Sequence, residues 1–138
     1  MIIVEHKKYS VEEIDKIIGN GFSEYALKNE IICNYRPFVF VAKEENEVVG
    51  IITGHSFYKE VCISELIVSE QYRGKRIGSK LLEAVENFYK DKNMEHINLA
   101  TYHFQAPDFY KKCGFQLEYI RKNKENSKLD KYFFTKYF

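Results

Sequence analysis

The stretch Gln71-Tyr72-Arg73-Gly74-Lys75-Arg76-Ile77-Gly78-Ser79-Lys80-Leu81-Leu82 constrains the fold more than any other part of the chain. A β-prone run, Val61 to Val68, leads into it. Beyond it, Ile77, Leu81, Leu82, Val85, Phe88 and Tyr89 keep one face of an α-helix apolar. A strand, a basic glycine-containing turn and a helix leave backbone N–H groups free at the helix start, where an anion can be held. Gly74 and Gly78 let the backbone come close to such an anion. Arg73, Lys75, Arg76 and Lys80 surround it with positive charge. Basic side chains at a helix N-terminus oppose the dipole, so an ordinary capped helix leaves them unexplained.

The spacing excludes two common phosphate loops. A P-loop needs Gly-Lys followed by Ser or Thr, whereas Gly78-Ser79-Lys80 has the wrong order. A dinucleotide fingerprint needs three glycines in G-x-G-x-x-G spacing near the first strand, and this turn lies mid-chain after a fourth β run.

The rest of the chain supplies the sheet around this unit. Met1 to His6 reads as a first strand. Ser10-Val11-Glu12-Glu13 reads as a capping box opening a helix that breaks near Gly19-Asn20-Gly21, with a second helix from about Ser23 to Cys33. Phe38 to Ala42 and Val48 to Ile52 are β runs joined by the polar turn Glu44-Glu45-Asn46-Glu47. After the basic turn and its helix, Ile97 to Ala100 reads as a strand. Pro107 and Gly114 then bracket a short helix. Leu117 to Arg121 and Tyr132 to Phe138 read as final strands around a solvated loop, 123–127. No linker or repeat divides the chain, so residues 1–138 are expected to form a single domain with an α/β (α+β) mixed sheet flanked by helices.

Composition narrows the partners. Twenty-one basic and 20 acidic residues give a net charge of +1, unlike a general nucleic-acid binder. No apolar run is long enough for a membrane helix, and the N-terminus lacks a signal-peptide core, so the expected location is cytoplasmic, with no membrane partner. Cys33, Cys62 and Cys113 show no metal-like or redox spacing and are expected to be reduced thiols.

The segment Leu66 to Gly78 resembles the strand-four and pyrophosphate-loop signature of the GCN5-related N-acetyltransferase (GNAT) family, Arg/Gln-x-x-Gly-x-Gly/Ala. Arg73 and Gly78 take the first and last places, and Arg76 replaces the middle glycine. That replacement predicts against a positive φ at position 76 and adds a guanidinium at the cofactor mouth. Ala106-Pro107-Asp108-Phe109-Tyr110-Lys111-Lys112-Cys113-Gly114-Phe115 is similar to the family's later Ala-x-x-Phe/Leu-Tyr…Gly-Phe motif, with His103 where asparagine is frequent. The two motifs stand in the family's order.

The resemblance implies an acyl-CoA N-acyltransferase fold whose mostly antiparallel sheet splays between its fourth and fifth strands. It implies acetyl-CoA (coenzyme A) as co-substrate, no metal, and acetyl transfer to a primary amine or peptide amino group. Dimers are frequent in the family, so a homodimer is possible. The cofactor-binding residues it implies are the main chain of Leu66, Ile67 and Val68, the turn Arg73, Gly74, Lys75, Arg76, Ile77, Gly78 and Ser79, and His103 and Ala106. Tyr110 matches the family's thiolate-protonating tyrosine. Glu65 is the nearest carboxylate for deprotonating the amine, with His103 and Glu60 as further candidates. Phe22, Tyr25, Tyr35, Phe57, Tyr58 and Tyr132 are candidate walls of an acceptor pocket. A non-catalytic acyl-CoA-binding sensor or interaction module is the alternative. An acetylator of protein N-termini or charged transfer RNA is a third reading, and the neutral charge disfavours its RNA form.

Overall fold

The computed structural model describes residues 1–8 and 10–138. They form two compact units, Met1–Asn34 and Tyr35–Phe138.

In the first unit, residues 1–6 form no strand, contrary to the sequence-based expectation. The expected helix pair is one continuous helix, α1 (Glu12–Lys28). It runs through Gly19 and Gly21 because a glycine costs a helix interior only about 1 kcal/mol. The capping box also fails to form. Val11 is the N-cap without a side-chain bond, and Ser10 Oγ instead donates to Asp15 Oδ2 at 2.8 Å.

The second unit carries β1 (Arg36–Glu44), β2 (Glu47–Phe57), β3 (Glu60–Val68), α2 (Ile77–Tyr89), β4 (His96–Tyr102), α3 (Pro107–Lys112), β5 (Gln116–Arg121) and β6 (Lys131–Tyr137). One six-stranded sheet runs β1-β2-β3-β4-β6-β5. Every ladder is antiparallel except β3–β4, which is parallel. The polar turn between β1 and β2 places Glu45 and Asn46 both at positive φ, the twist a two-residue hairpin needs.

The helical spacing after the basic turn translates directly into packing. Ile77, Leu81, Leu82, Val85 and Tyr89 are all buried. They meet Phe38, Val49, Ile52, Val61, Ile63, Ile97, Leu99 and Phe134 from the sheet. Each such side chain contributes about 1.5–3 kcal/mol on burial. Gly50 lets α2 come close: a Cβ there would stand 3.1 Å from side-chain atoms of both Ile77 and Leu81.

Two irregularities shape the sheet around the basic turn. Thr53 pairs with Glu65 but Gly54 pairs with Ile63, so Ser64 is an extra residue, a bulge in β3. The β3–β4 ladder holds only Glu60↔His96, Val61↔Ile97 and Cys62↔Asn98. Beyond Cys62 and Asn98 the strands part, which is the expected splay. With no strand before β1, it falls between the sheet's third and fourth strands.

Candidate active site

The bulge decides which face each β3 side chain takes. Before it, Val61 and Ile63 are buried on the α2 face. After it, Leu66 and Val68 pack on that face, whereas Glu65 and Ile67 are exposed on the other. From Ile63 onward, the β4-facing edge of β3 has no strand partner. The main chain of Leu66, Ile67 and Val68 therefore lies along an open edge, and the side chains of Leu66 and Val68 serve the core.

That edge runs into the basic turn. Ser69 N–H donates to Val49 O at 2.8 Å, closing the end of β3 against β2. Arg73 folds back, its Nε donating to Val68 O at 2.9 Å. Its guanidinium thus ties the turn to the end of β3. Lys75 Nζ lies over the Tyr72 ring, 5.2 Å from its centroid. Gly74 sits at φ +75 with open space where a Cβ would go.

Arg76 overturns an expectation. It is the N-cap of α2 at φ 64, ψ 18, in the left-handed region, despite not being glycine. The turn must deliver buried Ile77 onto Gly50, and this constraint outweighs the roughly 1–2 kcal/mol cost of the conformation. No side chain caps α2 and no acidic residue lies in its first turn. The first N–H groups of the helix, at Ile77, Gly78 and Ser79, thus stay available to an anion.

Gly78 has a second role. A Cβ there would come within 3.1 Å of Phe109 Cζ on α3. The glycine therefore lets α2 and α3 approach, and brings Cys113 Sγ to 3.9 Å from Ser79 Oγ.

Tyr110 follows Phe109 on α3 and is 8% exposed. Its ring centroid lies 5.1 Å from that of Phe109, 5.9 Å from Phe115 and 6.1 Å from Phe134. Burial, with a smaller contribution from Cys113, pushes its phenol up to about 12. Tyr110 therefore keeps its proton at physiological pH. His103, Ala106, Phe109 and Tyr132 line a cavity of about 400 Å³ at the start of α3. His103 N–H donates to Asp130 O at 2.8 Å, anchoring this loop to the segment before β6.

Glu65 stands exposed on the sheet face opposite α2, where its Oε1 accepts a hydrogen bond from Thr53 Oγ1 at 2.9 Å. Of the candidate acceptor walls, Tyr35 and Phe57 pack edge-to-face at 5.8 Å, and Phe57 lies 4.0 Å from Tyr58. Phe22 and Tyr25 belong to α1 in the first unit. Sequence reasoning missed the Ser64 bulge and the pairing of Glu60 with His96. Gly54 inside a β run was the available signal for the bulge. Cys33, Cys62 and Cys113 are free and half-buried. Among the described residues, no group of three or more side chains could hold a metal, and no helix is long and apolar enough to cross a membrane.

A parting parallel strand pair beside an uncapped, basic helix N-terminus defines the class of acyl-CoA-dependent N-acyltransferases. The Acetyltransferase (GNAT) family matches residues 8–115, and the chain belongs to that family. Acetyl-CoA is accordingly its co-substrate. An acetyltransferase from Bacillus cereus ATCC 14579 is 27% identical, with a TM-score of 0.77 over 97% of this chain and 98% of that one. An acetyltransferase of Bacillus anthracis str. Ames, solved in complex with acetyl coenzyme A, is 25% identical with a TM-score of 0.67, over 80% and 67% of the respective chains. Blasticidin-S acetyltransferase of Streptomyces morookaense is 27% identical over 97 residues, 67% of this chain and 71% of that protein. The uncharacterized protein YxbD of Bacillus subtilis (strain 168) is 33% identical over 78 residues, 54% of this chain. That match spans about half of the relative's own length, 47%.

Proposed function

We propose that the protein transfers an acetyl group from acetyl-CoA to the primary amine of a small molecule, by direct attack while both substrates are bound. The observation that carries this reading is the end of the β3–β4 ladder at Cys62 and Asn98, which leaves an open backbone edge leading to the uncapped start of α2.

Bound acetyl-CoA would supply the activated thioester. The N–H groups of residues 74–79, with Lys75 and Arg76 beside them, would hold its pyrophosphate. His103 and Ala106 would meet its thiol-side arm. The N–H groups of Leu66 and Val68, which alternate away from β2 toward the open edge while Ile67 pairs with Ile51, would stabilise negative charge that develops on the thioester oxygen. Tyr110 Oη gives its proton to the leaving thiolate, a role suited to a phenol that stays neutral up to about 12. The amine's proton goes to a carboxylate on the sheet face opposite α2, where Glu65 and Glu60 both stand.

A small acceptor suits the cavities, and the name of the Streptomyces relative, Blasticidin-S acetyltransferase, points the same way. The test is thiol release from acetyl-CoA across a panel of amines. Amine-dependent release is expected. Tight CoA binding without release from any amine would instead identify a non-catalytic acyl-CoA sensor.

A further inference from the structure

We infer that Glu60, backed by His96 and Glu95, takes the proton from the incoming ammonium and passes it to solvent. This rests on the acetyltransferase reading above and names the base that reading leaves open.

The three paired positions of β3–β4 place Glu60 opposite His96 and Cys62 opposite Asn98. Because the intervening Val61 and Ile97 are buried on the α2 face, these four side chains share the other face. There a cavity of about 360 Å³ is lined by Glu60, His96, Asn98, Ile63, Leu99 and Phe134 among others. Ile63 and Leu99 are the first residues beyond the ladder on each strand. Phe134 is the ring against which Tyr110 packs. The cavity therefore reaches, from one face, the parting point that Tyr110 approaches from the other. No lysine or arginine lines it.

The side chains form a short chain leading outward. Glu60 Oε2 lies 3.5 Å from His96 Nε2. His96 Nδ1 lies 3.3 Å from Glu95 Oε1, whose side chain is 64% exposed. A neutral imidazole carries one N–H; with it assigned to Nδ1, the shorter contact, it donates to Glu95, and Nε2 accepts from Glu60 once that carboxyl has taken up a proton. The geometry is braced by Glu95 N–H to Lys59 O at 2.7 Å, and by Phe138 N–H to Glu95 O at 3.1 Å. Cys62 Sγ donates to Glu60 Oε1 at 3.4 Å. Burial first, and then the Glu60 charge, push this thiol up to about 11, so it remains a donor. The other groups around the pair are Asn98 on β4, the Tyr137 ring 5.6 Å from His96 on β6, and Glu118 on β5, which accepts from Thr135. Glu65 shares the face, but its carboxylate is held by Thr53 on β2, on the side of β3 away from the parting strands.

In the step, one ammonium N–H bond breaks and its proton moves to Glu60 Oε2. The electron pair stays on nitrogen, which becomes the nucleophile. Protonated Glu60 passes the proton to His96 Nε2, and the imidazolium releases its Nδ1 proton to Glu95 and water.

The experiment measures thiol release from acetyl-CoA, with the best amine of the panel, from about pH 6 to about pH 10. It compares wild type with Glu60→Gln, Glu60→Asp and His96→Gln, with CoA binding by calorimetry and thermal melts alongside. Glu60→Gln is expected to lose roughly 10²-fold in kcat/KM near neutral pH, the loss shrinking as pH rises and free amine accumulates. Glu60→Asp recovers part of it. His96→Gln loses about tenfold in kcat with KM held. All three bind CoA as wild type does. Glu60→Gln activity within about threefold of wild type at every pH overturns the inference. A wild type that binds CoA but releases thiol with no amine overturns the acetyltransferase reading, and this inference with it.

Discussion

Gly54 on β2 lies directly against the carbonyl of Cys62 on β3, with no room between them for a Cβ. The ring of Phe38 closes the remaining space, 2.6 Å from where that Cβ would be. This contact sits at the Ser64 bulge, one residue before the point where β3 leaves β4. Gly54→Ala is therefore expected to push β2 from β3 and disturb the open edge. Overpacking of this kind costs about 1–3 kcal/mol. Urea melts should show that loss, and thiol release should fall by more than the loss of folded protein explains.

Arg76 offers the opposite experiment. Glycine adopts φ 64 without the Cβ clash that arginine suffers. The greater freedom of glycine in the unfolded chain offsets part of the gain. Arg76→Gly is expected to stabilise the fold by about 0.5–1 kcal/mol. Loss of the guanidinium should weaken CoA binding several-fold. Thermal melts and calorimetry read the two effects separately.

Tyr110→Phe should leave CoA binding intact and lower the chemical step by roughly 10²-fold in single-turnover assays. The phenol also carries a pH signature. Its folded pKa, about 12, lies above the ordinary value of 10.0. Its contribution to stability is full below about 10 and is lost as pH rises through about 12. Wild type should therefore lose stability relative to Tyr110→Phe across that alkaline window, measured by denaturant melts.

Asp130 governs the acid side. Its carboxyl is held below the ordinary 3.8, first by the Asn123 N–H at 2.8 Å and then by Lys122, against the opposing effect of burial. A lowered folded pKa contributes stability above the unfolded value and loses it as pH falls through the folded one. Asp130→Asn should thus be less stable than wild type near neutral pH, and the gap should close below about pH 4. The same substitution is expected to weaken the hold of the residue-130 side chain on Asn123 N–H and Lys122 in the β5–β6 loop.

Much of this protein was legible in short-range pattern. The spacing from Ile77 to Tyr89 predicted α2 and its buried face, with only Phe88 half-buried. The motif glycines located the turn, and Pro107 and Gly114 bracketed α3. The failures were also local. Met1 to His6 has strand-like residues but forms no strand, since a strand exists only with a neighbour to pair with. Gly19 and Gly21 suggested a break that one helix spans.

The sequence by itself determined the order of strands and helices from Phe38 onward, the basic turn and the place of Tyr110 on a short helix, because each depends on residues within a few positions of one another. Only the tertiary structure decided where β3 leaves β4, that Glu60 meets His96, and that Arg76 adopts a glycine's conformation. Those features arise from strand pairing, a bulge admitted by Gly54, and the docking of Ile77 onto Gly50. Each joins residues far apart in the chain, and no local periodicity carries that information.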